Sequence, residues 1–109
     1  MPESFSIDLS HFLYERGDLP PDLPDPARRL ALHNGAIVAW VTAVGPTVAD
    51  AERTNVSCRR GRARPPCFGT VIAHRQGDAA IAWHCDTCGE QSMVRGFEGT
   101  PWDRRRPDA

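Results

Sequence analysis

The stretch Cys58-Arg59-Arg60-Gly61-Arg62-Ala63-Arg64-Pro65-Pro66-Cys67-Phe68-Gly69, with Cys85-Asp86-Thr87-Cys88-Gly89 downstream, holds all four cysteines of the chain within 31 residues. A tetrahedral zinc ion takes four thiolates at about 2.3 Å, which puts neighbouring sulfurs under about 4 Å apart and requires tightly curled backbone between paired ligands. Cys85 and Cys88, two residues apart, suit such a turn, and Gly89 behind them accommodates a positive φ. The eight residues between Cys58 and Cys67 are too many for a tight knuckle. They suit a loop joining two strands, with a thiolate at each strand end. The spacing therefore names Cys58, Cys67, Cys85 and Cys88 as ligands of one structural Zn2+. Two disulfides, or a redox pair at Cys85 and Cys88, are the competing uses of the same residues. A further variant puts His74 or His84 in place of one cysteine, although His84 projects to the opposite face of a strand from Cys85.

Around this stretch the hydrophobic period is two. Val56 and Cys58, then Val71 and Ala73 against Thr70, Ile72 and His74, then Ile81, Trp83 and Cys85 against Ala80, Ala82 and His84, read as strands. Arg75-Gln76-Gly77-Asp78 supplies a turn between the last two. Gln91 to Phe97 is a candidate for a further strand, and Trp102 is placed to fold back over a thin core.

Upstream the spacing predicts helices. Phe5, Leu9, Phe12 and Leu13 recur at helical intervals over 4–16, with Gly17 as a stop. Asp18 to Pro26 carries four prolines and forms a stiff connector. Asp25 caps a second helix, 26–44, with Pro26 at the first helical position and Leu30, Ile37, Val41 and Val44 on one face until Gly45-Pro46. Gly35 marks a kink or a close crossing. The expected fold class is thus α+β, an N-terminal helical hairpin followed by a small three-stranded antiparallel zinc ribbon. The expected division is 1–46 for the hairpin, 47–53 for a linker and 54–109 for the ribbon with its tail, all within reach of one compact domain.

The order and pairing of the cysteines resemble a zinc ribbon over about residues 54–97. The run Val94-Arg95-Gly96-Phe97-Glu98-Gly99-Thr100-Pro101-Trp102-Asp103 resembles the tail of small, uncharacterised bacterial ribbon proteins. The resemblance implies one structural zinc at the end of a small sheet and, because ribbons often serve nucleic-acid machinery, a nucleic-acid partner. It implies no activity.

The chain has 109 residues, 13 basic and 14 acidic, and every basic residue is arginine. A net charge of −1 excludes a general polyanion binder, so any nucleic-acid site is local. Residues 1–53 hold eight acids and four arginines, and 54–109 hold six acids and nine arginines. Arg59, Arg60, Arg62 and Arg64 surround the metal ligands and form the candidate nucleic-acid or partner-binding loop. They can bind phosphates, or they can balance the formal −2 charge of a zinc held by four thiolates.

No apolar run approaches the roughly 20 residues of a membrane span, and Glu3 stands where a signal peptide would be basic, so a cytoplasmic protein is expected. Neither a nucleophile triad nor a phosphate-binding glycine loop is present, and four thiolates would leave zinc no open position. The reading is a non-enzymatic zinc-binding interaction module. Its partner is a protein or a nucleic acid, and its N-terminal helices offer a surface for a homo-oligomer. The alternative is a thiol redox or zinc-release switch at Cys85 and Cys88.

Overall fold

The computed structural model of the chain describes residues 4–9, 19–44, 52–62, 64–76, 80–98 and 100–104. Five strands and one long helix are present: β1 (Ser4–Asp8), α1 (Asp25–Val44), β2 (Glu52–Ser57), β3 (Thr70–Gln76), β4 (Ala80–Cys85) and β5 (Gln91–Arg95). They form one mixed sheet in the order β1-β5-β4-β3-β2, in which β1 runs parallel to β5 and every other pair is antiparallel.

This overturns the expected fold class. Neither the N-terminal helical hairpin nor the three-stranded antiparallel ribbon forms. The segment Ser4–Asp8 is a strand because its apolar residues alternate: Ile7 and Leu9 are buried while Ser6 is exposed. A helix over 4–16 would have put Ile7 on the face away from Leu9 and Phe12, so the helical spacing works only by leaving Ile7 out. Pairing along the whole of β1, from Ser4 with Gln91 to Asp8 with Arg95, also caps the edge that β5 would otherwise expose. The remainder of the expected helix, 10–18, lies outside the described residues.

The second helix does form. Its N-terminal bond runs from the Arg28 N–H to the Pro24 carbonyl, so the cap falls on Pro24, one residue before the expected Asp25, and Asp25 joins Pro26 in the first turn, where a carboxylate favours the helix dipole. Ile37, Val38 and Val41 face the sheet and meet Val71, Ala73, Ile81, Trp83, Val94, Phe97 and, from the N-terminal segment, Ile7 and Leu9 in one hydrophobic cluster. Asn34 is fully buried in that layer. Its Oδ1 accepts the Trp83 indole N–H at 2.9 Å and its amide donates to the Leu30 carbonyl at 3.0 Å, so both polar groups are satisfied.

Gly35 marks a close approach of a different kind from a helix crossing. A Cβ there would lie 2.4 Å from Cε2 of Trp102, whose indole rests on the helix. The Arg104 N–H donates to Thr42 Oγ1 at 2.9 Å and holds the same C-terminal segment on α1. Trp102 thus folds back over the core as the sequence suggested. Glu52 and Arg53, assigned to the linker, are the first residues of β2, while 45–51 lie outside the described residues. Among the described residues no helix is long and apolar enough to cross a membrane.

Candidate metal centre

Two antiparallel strand pairs, β2 with β3 and β4 with β5, each end in a loop that carries two cysteines, and the pairing of β3 with β4 brings the two loops together. Cys58 follows β2 directly, and its N–H donates to the Gly69 carbonyl at 3.0 Å just before β3. Cys85 ends β4, and its N–H donates to the Glu90 carbonyl at 2.8 Å just before β5. The long first loop is compacted by a short 3-10 turn over Arg59–Arg62 and by the Cys67 N–H bonding the Arg60 carbonyl at 3.0 Å. Eight intervening residues thereby deliver a thiol beside its partner as effectively as two do in the second loop, where Gly89 takes the positive φ of 78°.

The four Sγ atoms of Cys58, Cys67, Cys85 and Cys88 lie within 4.8 Å of one another and could hold a metal ion. The nearest approaches cross between the loops, 3.6 Å for Cys67 with Cys85 and 3.8 Å for Cys58 with Cys88. A disulfide would bring sulfurs to about 2.05 Å, well short of these separations. Ligands at the corners of a tetrahedron with metal–sulfur bonds of about 2.3 Å stand about 3.8 Å apart, close to the separations of the two nearest pairs.

Backbone amides point at the sulfurs. The N–H two residues on donates to Cys58 from Arg60 at 3.4 Å, to Cys67 from Gly69 at 3.5 Å and to Cys85 from Thr87 at 3.4 Å, and the Glu90 amide serves Cys88 likewise. These bonds favour the thiolate. At Cys85 burial pushes the thiol up, but the amides of Cys88 and Thr87 and the neighbouring thiols outweigh it and bring the pKa down to about 7. Burial pushes Cys58 far up instead, against the single opposing amide of Arg60. The lowered thiol of Cys85 lies within reach of three others, an arrangement suited to capturing a thiophilic cation. Gly69 lets the loops meet, since a Cβ there would lie 2.4 Å from Cys85 Sγ.

Comparison with protein-family models, curated proteins and solved structures finds no match to this chain. The likeness of residues 54–97 to a ribbon therefore rests on the cysteine geometry.

Two ion pairs tie the loops together independently of any metal. Arg59 pairs with Glu90, whose carboxylate is almost wholly buried, and Arg53 pairs with Asp86 at 2.7 Å. Asp86 also accepts the Thr70 N–H and the Thr87 hydroxyl, both at 2.9 Å, and these bonds with Arg53 hold its carboxyl below the usual range. Of the four loop arginines, Arg59 is committed to Glu90, while Arg60 and Arg64 are exposed and have no carboxylate partner among the described residues. Arg62 lies in the 3-10 turn.

His84 is exposed on the strand face opposite Cys85, and His74 is half-buried with its Nε2 3.5 Å from the Gln76 amide nitrogen, so neither joins the cluster. Glu90, Asp86, Asn34 and Gly69 escaped the reading by motif. Only the acidic residues flanking the Cys85 knuckle, next to arginines needing partners, hinted at the ion pairs.

Proposed function

We propose that the four cysteines bind one Zn2+ and that the protein is a zinc-held interaction module whose working surface is the loop between Cys58 and Cys67. The observation carrying this is the quartet of Sγ atoms within 4.8 Å of one another, each served by a backbone amide. All-thiolate donors favour zinc over the harder magnesium or calcium, and four of them leave no coordination position for substrate or water. The metal's part is then structural: it joins two loops whose own contacts are two ion pairs and a few hydrogen bonds. The zinc-ribbon resemblance supports the same assignment.

Elemental analysis of protein purified without added metal should find one zinc per chain, with four thiols titratable only after denaturation or chelation. A stoichiometry near zero, with the cysteines paired as disulfides, would overturn the reading. The exposed Cys88 and the low pKa of Cys85 favour a second reading, a switch that releases zinc on oxidation. The two separate cleanly: a scaffold resists mild peroxide, whereas a switch loses zinc and regains it on reduction.

A further inference from the structure

Phe68 is 84% exposed, while the other large apolar side chains of the described residues are buried or half-buried apart from Leu32 at 47%. A single exposed ring is ordinary on a protein surface, and this one gains meaning from what lies around it. Its backbone is held: Cys67 before it belongs to the thiol cluster and bonds the Arg60 carbonyl, and Gly69 after it is buried and accepts the Cys58 N–H. Beside it opens a cavity of about 430 Å³ lined by Arg60, Pro65, Pro66, Phe68 and Thr87 together with Cys67 and Cys88 of the thiol cluster. No carboxylate lines this cavity. The nearby acids are occupied elsewhere, Glu90 on Arg59 and Asp86 on Arg53, whereas Arg60 and Arg64 stay exposed without such partners. The formal −2 of a four-thiolate zinc meets three loop arginines in the sequence, Arg60, Arg62 and Arg64, besides the one paired with Glu90.

We infer that this surface binds single-stranded nucleic acid, with one base entering the cavity to stack on Phe68 and the flanking phosphates held by Arg60 and Arg64. The inference rests on the zinc reading, because the metal holds Cys67, and with it Phe68, in place. A planar apolar ring with cations to either side matches the alternation of base and phosphate along a strand. A duplex keeps its bases stacked inside and offers Phe68 no face. Trp83 and Phe97 are buried in the core and Trp102 lies on α1, which leaves Phe68 as the exposed aromatic ring at the arginine loop.

The test uses the full chain with its zinc measured first, and fluorescence anisotropy with short oligo(dT), oligo(U) and a duplex of equal length at low salt. Both single strands should bind more tightly than the duplex. Phe68→Ala should weaken binding by roughly 5- to 150-fold, the loss of one stacked base, and leave the salt dependence unchanged. Phe68→Trp should retain binding. Arg60→Ala and Arg64→Ala should each flatten the slope of log affinity against log salt by about 0.7. All these side chains are exposed, so circular dichroism and zinc content should match the wild type. One zinc per chain with no oligonucleotide bound overturns this inference and leaves the zinc reading standing. So does tighter binding of the duplex, or full affinity in Phe68→Ala. Absence of zinc overturns the zinc reading, on its own measurement, before any oligonucleotide is added.

Discussion

Replacing Gly69 by alanine tests the metal centre most directly, because the added methyl group has nowhere to go. Its Cβ would lie 2.4 Å from Cys85 Sγ, and 2.8 Å from both Asp86 Oδ1 and Thr87 Cβ. Ordinary contact between such atoms begins near 3.5 Å, so the sulfur would have to retreat by about 1 Å. A tetrahedral zinc tolerates ligand displacements of about 0.2 Å, and Cys85 Sγ already stands 3.6 Å from Cys67 Sγ and 3.4 Å from the Thr87 amide. The strain must therefore appear in the loops or in the metal bonds. Overpacking of this kind costs about 1–3 kcal/mol, which is roughly a 5- to 150-fold loss of zinc affinity if it falls on the metal-bound state. Gly61→Ala is the control in the same loop: the nearest atom to its Cβ is the Cys67 carbonyl oxygen at 3.7 Å, an ordinary contact. Competition against a chromophoric chelator at fixed pH should show Gly69→Ala weakened and Gly61→Ala close to wild type. Equal affinities in the two variants would refute the close packing of the two loops.

Glu90→Gln keeps the shape but removes the charge facing Arg59, and chemical denaturation should show a loss of about 1–3 kcal/mol with zinc stoichiometry intact; unchanged stability would mean the pair contributes nothing. Gly35→Ala gains about 1 kcal/mol of helix propensity yet displaces the Trp102 indole, so it should destabilise the wild type and stabilise a Trp102→Ala background; the same sign in both would separate Trp102 from the helix. His33 donates through Nε2 to the Ser57 carbonyl at 2.9 Å, packs edge-on to Trp83 and keeps Nδ1 buried with no partner among the described residues. Burial lowers its pKa, with Arg59 adding to the fall and the Ser57 carbonyl and Glu90 opposing it. The unfolded chain thus takes up the proton first, and stability complete above about pH 6.5 should decline as pH falls below it. His33→Gln should flatten that decline in urea melts compared at two pH values, and an identical decline in the variant would exclude His33 as its source.

Much of the chain was legible because its signals are local. The period of two in Val71 to Cys85 needs only the pleat to place Ile81 and Trp83 on one face and His84 on the other, and α1 carries its own cap region and apolar face. The four cysteines announce a metal because few other uses need four thiols so close in sequence. Ser4 to Leu9 was ambiguous, with apolar residues at both helical and strand intervals. The open edge of β5, more than 80 residues away, resolved the choice, since a strand docked there satisfies backbone groups that a helix would leave bare. The destinations of Arg59 and Arg53, the buried bond between Asn34 and Trp83, and the exposure of Phe68 were likewise settled by tertiary structure. Periodicity reports which residues can share a face, but whether a face is covered depends on parts of the chain distant in sequence. For that reason the cysteines declared the centre, while only the folded sheet separated the arginines already paired with carboxylates from those left open to a ligand.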